Sequence, residues 1–301
     1  MLNGILVVDK PEGPSSHDVV SRLRRILGEK RIGHGGTLDP IATGVLPVLV
    51  GRATRASDFL LAADKAYTAH FRLGITTDTQ DITGNILTVS SALPTAGELR
   101  TILRKFTGAI TQVPPMYSAI KVGGRKLYEM ARSGIEVKRQ PREVTVFSID
   151  LMTDDSMPEA DRYSISVHCS KGTYIRTLIN DIGAELGCGA TLTALRRTKT
   201  GAFDISMSRT LDEIEAAVSE GSISSLIIPV DSMFTQYPET SVDASGERLC
   251  RNGALVPFGS GTPGTTYRVY GPGGNFLMLG LATTERGKIY LKTVKNFFDV
   301  G

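Results

Sequence analysis

A change of apolar period limits the fold of this chain more than any other feature. Tyr163-Ser164-Ile165-Ser166-Val167-His168-Cys169 alternates with period two, the pattern of a β-strand. Beyond Ser170–Tyr174, the residues Ile175, Leu178, Ile179, Ile182 and Leu186 recur at helical spacing and form one apolar stripe. Strand and helix signals are mixed in this way along much of the chain. Val144–Met152 is rich in β-branched and apolar residues. Ser15 or Ser16 caps a helix whose stripe is Val19, Val20, Leu23, Ile26 and Leu27, with Gly28 as its stop. Thr95-Ala96-Gly97-Glu98 reads as a capping box for a helix that turns Leu99, Ile102, Leu103 and Phe106 inward and ends at Gly108. Thr210-Leu211-Asp212-Glu213 repeats the signal. These elements do not alternate at regular βαβ spacing. The expected class is therefore α+β, with a mixed, largely antiparallel sheet flanked by helices.

After Pro238 the texture changes. Ten glycines from Gly246 to Gly287 punctuate short strands such as Tyr267–Tyr270, Phe276–Leu281 and Lys288–Thr293. Short strands with dense turn signals suggest a small β-barrel of roughly 60 residues. The expected division is 1–238 and 239–301. At 301 residues the chain has room for two domains of unequal size.

The chain carries 34 Lys+Arg and 31 Asp+Glu, a net charge of +3 that is too small to announce a polyanionic partner. The total conceals a segregation. Lys121, Arg125, Lys126, Arg132, Lys138, Arg139 and Arg142 face only Glu129 and Glu136, so Lys121–Arg142 is net +5. Asp204–Glu239 holds seven acids and Arg209, net −6, and is expected to face away from a polyanion. A local basic surface is what a polyanion feels within a Debye length of about 8–10 Å, although a charged run also suits a plain solvated helix face. The apolar run Ile5–Val8 is too short for a signal peptide, and no uncharged apolar stretch approaches the ~20 residues of a membrane span. Cys169, Cys188 and Cys250 are odd in number and widely spaced, as reduced thiols are. A cytoplasmic protein is expected. His17, His34, His70 and His168 never pair at metal-ligand spacing, so neither zinc nor any other metal is expected.

Gly33-His34-Gly35-Gly36-Thr37-Leu38-Asp39-Pro40-Ile41-Ala42-Thr43-Gly44 is the stretch richest in chemical content. It is not a dinucleotide fingerprint, since Leu38 stands where the third glycine belongs, and the chain has no Gly-Lys-Ser/Thr for a phosphate loop. It offers a glycine-rich loop presenting one carboxylate, Asp39, whose backbone Pro40 biases toward an extended conformation. An Asx turn at Asp-Pro explains the same residues without chemistry. Arg176 falls in the first turn of the helix after Ser170–Tyr174, off its apolar stripe, where the helix dipole disfavours a cation. It is either an ordinary surface arginine or the partner of an anion. Tyr67, in the strand opening at Lys65, fits a sheet core and equally a stacking platform for a base. Asp78-Thr79-Gln80-Asp81-Ile82-Thr83-Gly84 departs from a calcium loop and reads as a turn.

Together these stretches resemble the TruB family of tRNA pseudouridine synthases. The matches are Gly4–Pro11, Gly33–Pro40, Lys65-Ala66-Tyr67, Leu73-Gly74 through Thr77-Asp78-Thr79, Pro115-Met116-Tyr117-Ser118-Ala119, Gly172–Arg176 and Leu195-Arg196-Arg197, in order along residues 4–197. Gly35 departs from the family, which often has Thr or Ala there. The resemblance implies a pseudouridine-synthase-like catalytic domain followed by a PUA-like RNA-binding barrel. It implies isomerisation of the uridine at position 55 in the T-loop of tRNA, with Asp39 as the nucleophile. Tyr67 then packs against the target base, Arg176 pairs with the carboxylate, and Tyr174 and Leu195 line the uridine pocket. His34 fills the space that the flipped nucleotide leaves, and Lys10-Pro11 has a structural role. Gln112–Arg142 matches an insertion that closes over the RNA stem-loop, with Lys121, Arg125 and Lys126 as backbone contacts. The T stem-loop of tRNA is the expected partner, and a monomer without an obligatory protein partner is the expected state.

The implied chemistry suits the residues. The N1–C1′ bond breaks, the uracil rotates and a C5–C1′ bond forms, with no atom gained or lost, so no cofactor is expected. Extruding a base requires a few kcal/mol, which stacking offsets in part at about 1–3 kcal/mol per base. Other readings remain at the level of sequence. They are a non-catalytic RNA-binding or RNA-folding module, a guide-dependent relative acting on another RNA, and a glycosidase or nucleosidase. The last typically needs a second carboxylate about 5–9 Å away, where the motifs offer an arginine.

Overall fold

A computed structural model of the chain describes residues 2–152, 161–259 and 261–298. β1 (Gly4–Lys10) leads to α1 (Ser16–Leu27), which Ser15 and Asp18 open as a reciprocal capping box and Gly28 closes in the left-handed region. β2 (Ile32–His34) and β3 (Ala42–Val50) bracket the glycine-rich loop. A 3₁₀ turn over Gly51–Ala56 and α2 (Ser57–Ala62) precede β4 (Lys65–Leu73), whose residues alternate between buried and half-buried as period two requires. Next come a hairpin of β5 (Ile75–Thr77) and β6 (Ile86–Val89), then α3 (Ala96–Lys105) and β7 (Gly108–Gln112). The helix expected to end at Gly108 ends at Lys105. Phe106 closes it by donating its amide to Leu103, and Gly108, at φ 97°, opens the next strand.

The insertion between β7 and the long strand after it holds a small hairpin, β8 (Lys121–Val122) and β9 (Arg125–Lys126), and α4 (Leu127–Arg132). β10 (Arg142–Met152), β11 (Arg162–Cys169), α5 (Ile175–Glu185), β12 (Ala190–Thr200), β13 (Phe203–Asp204) and α6 (Leu211–Ser219) follow. The change of period that limited the fold is thus the step from β11 to α5. The last segment carries β14 (Glu239–Ser241), α7 (Ala244–Arg251), β15 (Val256–Pro257), β16 (Thr266–Tyr270), β17 (Phe276–Glu285) and β18 (Lys288–Asn296).

The large sheet runs β1-β3-β12-β4-β11-β10-β7, with β2 on β3 and β13 on β12. All its pairs are antiparallel except β12 with β3, so the sheet is mixed and largely antiparallel. One face is covered by α1, α3, α5 and α6 through Leu23, Leu99, Ile179 and Ile214, packed on Leu46, Val48, Phe71 and Val167. The other face of β1 and β3 presents Ile5, Val7, Val45 and Leu49 to a second cluster. Leu279 and Phe297 of the C-terminal segment reach into that cluster beside Phe234, and Phe276 and Phe297 stack with centroids 5.0 Å apart. The C-terminal strands form one curled sheet in the order β14-β16-β17-β18-β15, a half-barrel with β14 and β15 as its edges. No described helix is long and apolar enough to cross a membrane. Part of the acidic segment is spoken for within the fold: Asp212 and Glu215 lie 2.9 and 3.0 Å from Arg22 of α1.

Candidate active site

Asp39 lies in the loop between β2 and β3, and the loop is pinned on several sides. Leu38 is buried, donating its amide to the Ser16 hydroxyl (2.8 Å) and accepting that hydroxyl's proton on its carbonyl (3.1 Å). The Lys10 ammonium, with its side chain fully buried, donates to the carbonyls of Pro11 (2.8 Å), Pro40 (3.4 Å) and Ala42 (2.6 Å). Burial pushes this lysine down to about 8, and the Asp39 charge opposes that shift. The expected structural role of Lys10 therefore has a geometry: one ammonium gathers the carbonyls that surround Asp39. Gly44 at φ 98° lets β3 approach β12, since a Cβ there would stand 2.2 Å from the Arg197 carbonyl oxygen. Gly35, the departure from the family, is fitted to Leu60, whose side-chain carbons would lie 2.4–2.9 Å from an added Cβ.

Arg176 enters from the first turn of α5 and is buried, although it lies off the apolar stripe. Its guanidinium gathers three segments. Nη2 lies 3.0 Å from the Asp39 carboxylate and donates to the Tyr117 carbonyl (2.7 Å) at the root of the insertion. Nη1 donates to the Thr79 carbonyl (3.0 Å) and lies 3.6 Å from the Asp81 carboxylate. The unfavourable placement of a cation at a helix N-terminus is thus met by two carboxylates and two carbonyls. Asp81 is buried as well. It accepts from the Thr79 hydroxyl (2.8 Å), the Thr83 amide (3.0 Å) and the Thr83 hydroxyl. Asp39 differs from both, with its side chain 39% exposed against 5% for Arg176 and 8% for Asp81. The one accessible carboxylate of the array is the one at the loop.

The TruB family pseudouridylate synthase N-terminal domain matches residues 24–175, and the tRNA pseudouridylate synthase B C-terminal domain matches residues 176–235. The tRNA pseudouridine synthase B of Ralstonia nicotianae is 44% identical over 289 residues, covering 95% of this chain and 92% of that protein. Its counterpart in Clostridium kluyveri is 42% identical over 284 residues, covering 93% and 96%. A crystal structure of a Cbf5-Nop10-Gar1 complex superposes with a TM-score of 0.74 at 28% identity, covering 99% of this chain and 85% of that one. This chain belongs to the TruB family. It is a pseudouridine synthase, an isomerase.

The other residues that the TruB resemblance singles out are distributed around this array. Tyr67 of β4 is buried and stands directly across from Arg197 of β12 on one side and Val167 of β11 on the other. Burial raises its phenol, and Arg197 opposes the rise. Leu195, also buried, sits between Ala42 of β3 and Ala69 of β4. Tyr174 precedes α5, and the Gln112 side chain bonds both its amide (3.0 Å) and its carbonyl (3.3 Å), which ties the start of the insertion to the site. Burial raises the Tyr174 phenol too. His34 ends β2 at the other end of the loop from Asp39. Its Nδ1 is buried without a hydrogen-bond partner, and burial together with the Arg197 charge lowers its imidazole, which keeps it neutral at pH 7. Lys121, Arg125 and Lys126 sit on the β8–β9 hairpin of the insertion. The first two are exposed, whereas Lys126 also contacts the Tyr128 hydroxyl (3.4 Å).

Sequence reasoning missed Asp81 and Arg197. The stretch 78–84 is a turn, as expected, but it also delivers the second carboxylate of Arg176. Thr79 and Thr83, each two residues from Asp81, were the available signal. Among the described residues no group of three or more His, Cys, Asp or Glu converges as a metal site.

Proposed function

We propose that this synthase isomerises uridine 55 in the T-loop of tRNA, with Asp39 as the nucleophile. The observation that carries the reading is the exposed Asp39 carboxylate held 3.0 Å from a buried arginine. An adjacent guanidinium favours the ionised carboxylate, the form that can attack. The target base leaves the loop stack and enters beside Tyr67, with Leu195 and Tyr174 as further walls. Asp39 adds to the nucleotide, N1–C1′ breaks with its electron pair on the uracil, the ring turns and C5 bonds to C1′, and Asp39 is released as C5 loses its proton and N1 takes one up. His34, neutral and partly exposed, stacks where the nucleotide departed. The basic insertion contacts phosphates of the stem through Lys121, Arg125 and Lys126. The T stem-loop fits this division of labour because it offers a loop base to extrude and a stem for the insertion.

The same reading divides the chain into a catalytic domain, 1–238, with the insertion at about 112–142, and a PUA-like RNA-binding domain, 239–301. One polypeptide carries every residue invoked, so the enzyme acts as a monomer on tRNA in the cytoplasm. The test is an unmodified tRNA transcript incubated with the protein, followed by mapping of pseudouridine at each position. The wild type is expected to modify position 55 and Asp39→Asn to modify none. Modification at another position, or undiminished yield from Asp39→Asn, overturns the assignment.

A further inference from the structure

Among the described residues Arg197 is the largest fully buried side chain, 1% exposed in the middle of β12. A guanidinium in that position needs an explanation, because buried cations are expected to be paired. Among the described residues no carboxylate lies within ion-pair distance of it. Its partners are instead two carbonyls and a phenol. Nε donates to Val45 (2.7 Å) and Nη2 to Gly36 (3.1 Å), and the guanidinium interacts with the Tyr67 hydroxyl. Gly36 and Val45 stand on either side of Asp39 in the chain.

The placement follows from sheet topology. β12 lies between β3, to which it runs parallel, and β4, to which it runs antiparallel, and the register sets residue 197 opposite Gly44 of β3 and Tyr67 of β4. We propose that Arg197 is a positioning residue of the isomerisation: one planar fork ties both stems of the Asp39 loop to the Tyr67 phenol. It thereby sets where the attacking carboxylate stands relative to the ring that meets the base.

Lys10 holds the Asp39 loop from the β1 side but reaches no group on β4, and Arg176 holds the carboxylate but not the loop stems. Among the polar contacts of the described residues, those of Arg197 reach both the loop stems and Tyr67. The fixed five-donor fork of arginine can serve several partners at once, whereas a lysine ammonium is a point donor. A shift of about 1 Å in reacting groups costs on the order of a hundredfold in rate. The guanidinium is enclosed by protein, so its loss is expected to act through Asp39 and Tyr67.

The inference rests on the roles proposed above for Asp39 and Tyr67. The experiment measures single-turnover pseudouridine formation at saturating tRNA transcript, together with RNA affinity. The variants are Arg197→Met, Arg197→Lys, Tyr67→Phe and Arg197→Lys with Tyr67→Phe. Arg197→Met is expected to slow the reaction about a hundredfold and change RNA affinity by less than about threefold. Arg197→Lys is expected to recover part of the rate and remain at least about tenfold slow. The combined variant is expected to fall well short of the product of the separate losses, because both changes act on one arrangement. Should Arg197→Met not fold, the two lysine variants carry the test alone. Wild-type rate in Arg197→Lys, a rate loss matched by equal loss of RNA affinity, or multiplicative losses overturn the inference. A wild type that forms no pseudouridine, or an active Asp39→Asn, instead overturns the function on which it rests.

Discussion

The Asp39 loop and the basic insertion meet at the same residue and are held in opposite ways. Arg176 touches the Asp39 carboxylate with one nitrogen and, through the same nitrogen, the Tyr117 carbonyl at the insertion's root. On the loop side, Lys10 and Arg197 are buried, Leu38 is buried, and the carbonyls of Gly36, Pro40, Ala42 and Val45 all accept from those cations. On the insertion side, Lys121, Val122, Gly123, Gly124 and Arg125 are all exposed, β8 and β9 are two residues each, and the buried residues are Gln112, Pro114, Pro115 and Ser118 at the root with Leu127 and Met130 of α4. A nucleophile has to stand within a fraction of an ångström of its target, which calls for over-determined backbone. A surface that meets phosphates gains from adaptable side chains on a segment of low local stability. On the roles proposed for them, the two regions separate placement from capture.

If that separation is right, damage to the loop side lowers rate and leaves RNA affinity. The largest effect outside Asp39 itself is expected from Asp81→Asn. The substitution keeps the size of the group and removes the charge that balances Arg176 from behind. The guanidinium then has one carboxylate, Asp39, and shifts toward it. Single-turnover rate is expected to fall about a hundredfold with RNA affinity within about threefold of wild type. A variant that loses affinity and keeps its rate would place Asp81 on the capture side and break the comparison.

A smaller effect, on stability, follows from Lys10. Lys10→Met leaves buried carbonyls without their donor and is expected to destabilise the fold by about 1–3 kcal/mol in denaturant unfolding. The pH dependence gives the second reading. Burial puts Lys10 and Lys65 at about 8, below the 10.5 of an ordinary lysine. Between these values the unfolded chain binds more protons than the folded one, so the contribution of both lysines to stability rises with pH across that window and is smallest below pH 8. Lys10→Met is expected to flatten the rise, while substitutions at the exposed Lys121 leave it unchanged. An unaltered slope in Lys10→Met would show that the ammonium does not carry the burial assigned to it.

Much of this architecture is legible in the sequence, and the exceptions share a cause. Periods and caps locate β11, α5, α1 and the Thr95 and Thr210 boxes because each is a local pattern of side chains. Asp39 and Arg176 stand out because their surroundings are unusual for loop and helix. Asp81 does not, since its function comes from α5, far away in the chain. Arg196 and Arg197 show the limit most clearly. Strand alternation requires that they point to opposite faces, but nothing local says which is buried. Arg196 pairs with Asp9 at 2.7 Å in partial exposure, and Arg197 is enclosed. Arginine is almost never fully buried without a partner, so composition points away from the answer, and only the position of β12 between β3 and β4 supplies it. The net charge of +3 hides the basic insertion for a related reason, because a sum carries no positions.

The smallest expected effect tests the other half of the comparison. Neutralising Lys121, Arg125 and Lys126 together, as Lys121→Gln, Arg125→Gln and Lys126→Gln, removes charge from a hairpin with little core behind it. RNA affinity at about 0.1 M salt is expected to weaken roughly tenfold, and the slope of log affinity against log salt to flatten by about 0.7–0.9 for each phosphate that the hairpin no longer neutralises. Single-turnover rate at saturating RNA is expected to stay within about threefold of wild type, because none of these side chains touches the Asp39 array. Lys126 makes the outcome informative in a second way. It lies over the Tyr128 ring, 5.4 Å from the centroid, with Arg132 at 5.6 Å from the same ring, and an exposed cation–π contact contributes only about 0.5–1 kcal/mol. A large fall in thermal stability would mean that the hairpin is part of the scaffold. An unchanged salt slope would mean that it does not reach phosphate. A loss of rate at saturation would mean that the contact between Arg176 and Tyr117 transmits the state of the insertion to Asp39, so that capture and placement are one event.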